Sequence, residues 1–201
     1  MNVLVGRPAP DFTAAAVTGE GEIVGDFTFS QFTKGKYAVL FFYPLDFTFV
    51  CPSELLAFDH RLAAFKEKGV EVIGVSIDSQ FTHNAWRETA TEKGGIGKVG
   101  YPLVADVSHS ICQSYGIEHP DAKVAFRASF LIDQKGLVRH QVVNDLPLGR
   151  NIDEMLRMVD ALQFHEKNGE VCPAGWKEGE AAMTATPAGV ASYLASNADK
   201  L

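Results

Sequence analysis

Apolar residues in this chain fall into short dense runs separated by glycine and polar turns. Residues 37–43 (YAVLFFY) form the first strong run, with no charge, ended by Pro44. A continuous apolar run of this kind predicts a strand buried on both faces. Over residues 54–68, Leu55, Phe58, Leu62 and Phe65 recur at spacings of three, four and three. That is one face of a helix, and Gly69 stops it. Residues 70–78 predict a second buried strand. A helix follows over 81–91, broken by Gly94-Gly95-Ile96-Gly97. Residues 103–106 predict a short strand and 108–115 a short helix. Two strand-like runs, 128–133 and 137–143, flank Gln134-Lys135-Gly136 as a hairpin. Asn151 reads as the N-cap of a helix, with Ile152, Met155, Leu156, Val159 and Leu162 on one face and an end near Asn168-Gly169. Ahead of these elements, residues 1–36 are polar and glycine-punctuated, with short strand pieces at 22–24 and 27–29.

The order is strand, helix, strand, helix, strand, helix, hairpin, helix. It predicts an α/β fold with a central mixed β-sheet flanked by helices. After Gly169 the pattern changes to a Gly- and Ala-rich tail with one weak helix near 187–197. We therefore expect one domain over 1–169 and an appendage over 170–201.

The composition of the 201 residues is that of a globular protein, 46% hydrophobic and 21% charged. A net charge of -7 argues against nucleic acid as a partner, which needs a basic footprint. The longest apolar runs are far short of the ~20 residues that span a bilayer. No basic stretch followed by an apolar one opens the chain, so no signal peptide is expected and the cytoplasm is the expected location. Three cysteines, Cys51, Cys112 and Cys172, form neither a disulfide framework nor a CxxC pair.

Cys51, followed by Pro52, sits where the first helix begins. Helix N-termini favour negative charge, and such sites lower thiol pKa values to about 3.5–7.5. Cys51 is thus a candidate nucleophile; the alternative is a buried, inert thiol. Thr48, three residues upstream, offers a hydroxyl that accepts one hydrogen bond and donates another, or merely closes the loop. Pro44 stiffens that loop and shields one side from water, or only ends the strand. Glu54 is a first-turn acid that suits the helix dipole. Arg127 stands among apolar residues in a strand-like stretch, where burial demands an anionic partner. A Cys51 thiolate would serve; a snorkelling edge position is the alternative. Cys172, in the irregular tail, is either placed to attack an oxidised sulfur or incidental. Cys112 reads as a small packed hydrophobe. The six histidines form no metal set: His109, His119 and His140 share no ligand spacing, and His83 and His165 read as surface or core residues.

Taken together these residues resemble the peroxiredoxins, and among them the typical 2-Cys subgroup of the alkyl hydroperoxide reductase C type. The resemblance runs from Ala9-Pro10-Asp11-Phe12 through Val171-Cys172-Pro173 into the tail. The pattern Pro-x-x-x-Thr-x-x-Cys is met by Pro44, Thr48 and Cys51. Arg127 and Cys172 meet the family's arginine and its second cysteine. The resemblance implies a thioredoxin-like fold with an N-terminal extension, and a peroxidase in which Cys51 attacks the O–O bond of a hydroperoxide. Thr48 and Arg127 would hold the peroxide oxygens, while Glu54 and Arg150 would orient the arginine. Cys172 of a partner subunit would condense with the Cys51 sulfenic acid, and thioredoxin or a flavoprotein disulfide reductase would reduce the disulfide. No metal or bound organic cofactor is implied. Head-to-tail homodimers, often five in a ring, are implied too, with Phe47, Asp78 and Thr82 at the ring contacts.

The over-oxidation signature of the family is Gly-Gly-Leu-Gly with a C-terminal Tyr-Phe; Gly94-Gly95-Ile96-Gly97 is a close match to the first part, whereas Tyr193-Leu194 loses the aromatic partner of the second. Intermediate sensitivity to over-oxidation follows. A holdase chaperone role is compatible with ring assembly. The absence of CxxC argues against a thioredoxin-type oxidoreductase. A cysteine hydrolase lacks an identifiable histidine base.

Overall fold

The computed structural model describes residues 3–200. Met1, Asn2 and Leu201, at the ends of the expected extension and tail, lie outside the described residues. Seven strands form one sheet in the order β2-β1-β5-β4-β3-β6-β7. They are β1 (Thr13–Val17), β2 (Ile23–Thr28), β3 (Tyr37–Phe42), β4 (Val70–Ser76), β5 (Leu103–Ala105), β6 (Arg127–Ile132) and β7 (Val138–Asn144). The helices are α1 (Phe29–Phe32), α2 (Cys51–His60), α3 (Leu62–Glu67), α4 (Gln80–Glu88), α5 (Ser110–Ser114), α6 (Ile152–Asn168) and α7 (Pro187–Asn197). Strands β5, β4 and β3 run parallel, and every other pairing is antiparallel. The expected mixed α/β sheet is therefore present.

The apolar run of β3 is central, and all six of its residues are buried. Its side chains alternate between faces. Ala38, Leu40 and Phe42 join a core with Ile73, Val75, Val104, Tyr115, Phe130 and Ile132. Phe41 points the other way, stacking on Phe58 at a centroid distance of 4.1 Å and meeting Tyr101 edge-on at 5.7 Å. That second face carries the site described below.

The structure differs from the sequence reading in four places. The stretch 13–17, TAAAV, is weak in β propensity, yet β1 pairs with both β2 and β5. Tertiary pairing overrides local preference here. The strand pieces at 22–24 and 27–29 merge into one strand, β2, that ends at Thr28, and Phe29 instead opens the short helix α1, absent from the sequence reading. The helix expected over 54–68 starts earlier, at Cys51, and divides at Arg61 (φ -107°, ψ 3°) into α2 and α3. The apolar face continues through the break, so spacing alone does not reveal it.

Packing divides the chain into two compact units, 1–152 and 153–201. Helix α6 thus groups with the tail, whereas the sequence pattern changes only at Gly169. Within the second unit, Phe164 packs on Trp176 at 4.7 Å, and Arg157 donates to the Trp176 carbonyl at 2.8 Å. Val171 and Met183 form an antiparallel bridge. No described helix is long and apolar enough to cross a membrane.

Candidate active site

The site begins where β3 ends. Tyr43 makes the last contact to β4, its N–H donating to the Val75 carbonyl at 3.1 Å. Pro44 is buried and has no N–H to continue the ladder. The chain then turns through residues 45–50, with Phe47 at φ 52°, a left-handed conformation uncommon outside glycine. Asp46 fixes the turn: its N–H donates to Asp78 Oδ2, and its carboxylate accepts from Tyr43 Oη at 2.8 Å and lies 2.7 Å from His83 Nδ1. Burial pushes the Asp46 carboxyl up against the opposing pull of His83.

Helix α2 opens on Cys51, with Val50 as its cap residue and Pro52 in the first turn. Cys51 is fully buried. Thr48 Oγ1 lies 3.0 Å from Cys51 Sγ and 2.8 Å from the Leu45 carbonyl. A hydroxyl carries one proton, so these contacts define two states. With a neutral thiol, Cys51 donates to Thr48 and Thr48 donates to Leu45. With a thiolate, Thr48 donates to the sulfur. Arg127, the first residue of β6, brings Nη1 to 3.4 Å from the same sulfur.

Two further charges lock that arginine. Glu54, one helical turn beyond Cys51, accepts from Arg127 Nη1 at 2.8 Å. It also accepts from the Arg150 backbone N–H, Nε and Nη2 at 2.8–2.9 Å. Arg150 donates onward to the Phe42 and Ala128 carbonyls and to Ser129 Oγ, and its guanidinium lies 5.3 Å from the Phe41 ring centre. Arg127 Nε donates to the Leu146 carbonyl at 2.6 Å. The side chains of Glu54, Arg127 and Arg150 are each at most 5% exposed. Burial alone would raise the Glu54 pKa, but hydrogen bonds and charge from Arg150, then the charge of Arg127, bring it below the ordinary value. Burial likewise opposes the Arg127 charge, and Cys51 and Glu54 outweigh it. One carboxylate and two guanidinium groups sum to +1, which a thiolate at Cys51 neutralises.

A model of the AhpC/TSA family matches residues 5–141. The chain belongs to this family. A second model, the C-terminal domain of 1-Cys peroxiredoxin, matches residues 161–196. Alkyl hydroperoxide reductase C of Helicobacter pylori (strain ATCC 700392 / 26695) is 55% identical over 199 residues, covering 99% of this chain and 100% of that protein. Peroxiredoxin-2 of Cricetulus griseus is 52% identical over 180 residues, or 89% of this chain and 88% of that one. Reduced 2-Cys peroxiredoxin of Plasmodium vivax has a TM-score of 0.92 at 48% identity, over 96% of this chain and 100% of that one. The sheet is accordingly thioredoxin-like, and this peroxiredoxin is a thiol-dependent peroxidase that requires no prosthetic group.

Of the residues singled out from the sequence, Pro44, Thr48, Cys51, Glu54, Arg127 and Arg150 converge in the first unit of this peroxiredoxin. Cys172 lies in the second unit, half-buried, with its thiol 3.5 Å from the Ala161 carbonyl. Burial, partly offset by Arg157, pushes the Cys172 thiol up. Phe47 is half exposed, Asp78 accepts from the Asp46 N–H and from Ser76 Oγ, and Thr82 bonds Ser79. Sequence reasoning missed the Tyr43–Asp46–His83 cluster behind the turn and the carbonyls of Leu146, Phe42 and Ala128. Carbonyls have no sequence signature. The buried aromatic-acid-His set had one weak signal, an acid only two residues before Thr48. The histidines also yield one surprise. Donor atoms of His109, Cys112 and Glu118 lie within 4.8 Å of one another.

Proposed function

We propose that Cys51 is the nucleophile that reduces hydrogen peroxide and organic hydroperoxides, and that Cys172 of the partner subunit regenerates it. The observation that carries this reading is the convergence of Thr48 Oγ1 and Arg127 Nη1 on one sulfur, at 3.0 and 3.4 Å. The Cys51 thiolate attacks the terminal peroxide oxygen. The O–O bond breaks, and the leaving alkoxide or hydroxide takes up a proton to give alcohol or water. Donors already fixed in place stabilise the charge that develops on the leaving oxygen, so no reorganisation is needed during the step. Arg127 serves because Glu54 holds the same Nη1 that faces the sulfur and the Leu146 carbonyl holds Nε. Thr48 serves because its hydroxyl both accepts and donates.

The Cys51 sulfenic acid then condenses with the Cys172 thiol of the partner subunit, releasing water and forming a disulfide. Thioredoxin or a flavoprotein disulfide reductase supplies the two electrons that reopen it. The functional division follows the chemistry: 1–169 carries the peroxide site and 170–201 the resolving cysteine. The assembly is a head-to-tail homodimer, five to a ring, in the cytoplasm.

Peroxide-dependent NAD(P)H oxidation with each purified reductant system, beside non-reducing gels, tests this. Cys51→Ser should abolish turnover, and both Cys51→Ser and Cys172→Ser should lose the disulfide-linked dimer. Normal turnover by Cys51→Ser would sink the reading. A dimer band persisting in Cys172→Ser would move the resolving role to Cys112.

A further inference from the structure

A second set of reactive side chains lies outside the peroxide site. His109 is the residue before α5, Cys112 sits on the first turn of that helix, and Glu118 follows it by six residues. The His109 Nδ1 to Glu118 Oε1 distance is 3.0 Å, and the three donor atoms all lie within 4.8 Å of one another. The surroundings hold them there. Asp106 accepts from the N–H groups of Ile111 and Cys112 at 3.0 and 2.8 Å, which fixes the start of α5. The Glu118–Ala125 bridge fixes the other side. His109 has φ 62° and Lys123, which reaches Glu118 Oε2 at 3.4 Å, has φ 55°. These are two of the three described non-glycine residues with positive φ. Strained backbone persists only where its surroundings over-determine it.

We propose that His109, Cys112 and Glu118 form a binding site for a divalent zinc-type ion, separate from the peroxide chemistry. The donor set is one imidazole, one thiolate and one carboxylate, a mixture that suits zinc, with water as the fourth ligand. Bonds of about 2.3 Å to sulfur and about 2.1 Å to nitrogen and oxygen place tetrahedral ligands about 3.5 Å apart. The 3.0 Å His109–Glu118 pair lies near that edge. Rotation of the partly exposed Glu118 adjusts the remainder. The side chains of His109 and Glu118 are 27% and 15% exposed, so the ion enters from solvent on their side, while buried Cys112 forms the floor.

The proton balance is explicit. Without metal, burial and then the Asp106 and Glu118 carboxylates push the Cys112 thiol up to about 12, and the thiol donates to the His109 carbonyl. Metal binding forms a metal–sulfur bond and releases the thiol proton to solvent. The same carboxylates that oppose a bare thiolate favour a bound cation. Without metal, His109 Nδ1–H donates to the Glu118 carboxylate at 3.0 Å; metal binding displaces that Nδ1 proton, and the neutral ring then offers the Nδ1 lone pair to the ion with its proton on Nε2. The Lys123 ammonium leaves Glu118.

The full-length Cys51→Ser/Cys172→Ser chain, in which Cys112 is the single thiol, isolates this site. Titration with Co²⁺ should give one equivalent bound, with thiolate-to-cobalt charge-transfer absorption and tetrahedral visible bands, and Zn²⁺ should displace it. Adding Cys112→Ser should abolish the charge-transfer band, whereas His109→Asn or Glu118→Gln should weaken binding by at least about tenfold. Glu118→Gln changes a partly exposed group, so a retained far-ultraviolet circular dichroism spectrum shows that this loss is not unfolding. Absence of the band, or undiminished affinity in both His109→Asn and Glu118→Gln, overturns the proposal. The experiment reads no peroxidase activity, so its failure is distinct from failure of the Cys51 assignment.

Discussion

Glu54 carries more of the peroxide site than its first-turn position suggests, because one carboxylate neutralises part of two buried guanidinium charges. Removing one partner of such a cluster leaves uncompensated charge in a dry environment. Glu54→Gln should therefore cost about 3 kcal/mol in urea unfolding at neutral pH. Its pH dependence has a definite sign. The folded-state pKa of Glu54 lies below its ordinary value, so the stabilisation is complete above the unfolded carboxylate pKa of about 4.3. It is lost as pH falls through the lower, folded value. Denaturant melts across the acid range should show a shallower loss in Glu54→Gln than in the parent. At the sulfur, Thr48→Val and Arg127→Lys should each lower kcat/KM for peroxide by about 10²-fold, the scale of losing one fixed donor. Thr48→Ser keeps the hydroxyl and should retain most activity. Lysine keeps the charge of Arg127 but cannot reach Cys51, Glu54 and the Leu146 carbonyl together. Thr48 and Cys51 are legible as a pair because only two residues separate them at the junction of one loop with α2. Arg127 is legible only as a charge out of place. Its contacts span 73 residues to Glu54 and 76 to Cys51, distances that no local pattern encodes.

The elements around the site were legible where apolar spacing is strong and obscure where register decides. Strands β3 and β4 fall where the pattern puts them. Strand β1 does not announce itself, because its alanines acquire strand structure from β2 and β5. The division of α2 from α3 leaves Cys51 at the start of a ten-residue helix. Cys51 is fully buried, so a sulfur on its way into a disulfide must leave its place, which requires the first turn of α2 to open. In the proposed cycle, elements that restrain this opening would set the competition between disulfide formation and over-oxidation, and the Gly94–Gly97 segment is the candidate that the family resemblance offers. Trp86 Nε1 donates to the Gly94 carbonyl at 2.8 Å, Gly95 N–H donates to the Ala90 carbonyl, and Ile96 is buried. A Cβ at Gly95 would lie 1.9 Å from the Thr89 carbonyl oxygen, so Gly95→Ala must displace the segment. Gly95→Ala should lower the melting temperature and require more peroxide to convert Cys51 to sulfinate during turnover, measured by mass spectrometry. An unchanged dose response would remove this loop from the restraint.

At the scale of the whole molecule, Cys51 and Cys172 fall in different compact units, and the proposed cycle joins them across two chains, which would bring assembly directly into the chemistry. The surface of the first unit is unusual for an isolated chain: Phe47, Phe49 and Phe81 are 51%, 97% and 66% exposed. Phe47 also holds a left-handed backbone and packs its ring 5.8 Å from Trp86, so its exposed half is presented by a fixed turn. Asp46 holds that turn through Asp78, and Ser79 and Thr82 open α4 immediately after it. The proposed ring contacts therefore rest on the same loop that delivers Thr48 to Cys51. Burial of a phenylalanine contributes about 2–3 kcal/mol, while an unpaired charge in a dry interface costs several. Thr82→Glu should accordingly convert rings to dimers at micromolar chain concentrations in sedimentation velocity, and Phe47→Ala should shift the ring–dimer balance the same way by a smaller amount. Both variants should still form the proposed Cys51–Cys172 disulfide, because the proposed bridge joins the two chains of one dimer rather than neighbouring dimers. Their peroxide kcat/KM should fall only as far as the turn loses rigidity, so Phe47→Ala should lose more than Thr82→Glu despite disrupting the ring less. Intact rings in Thr82→Glu would place the contacts elsewhere on the surface.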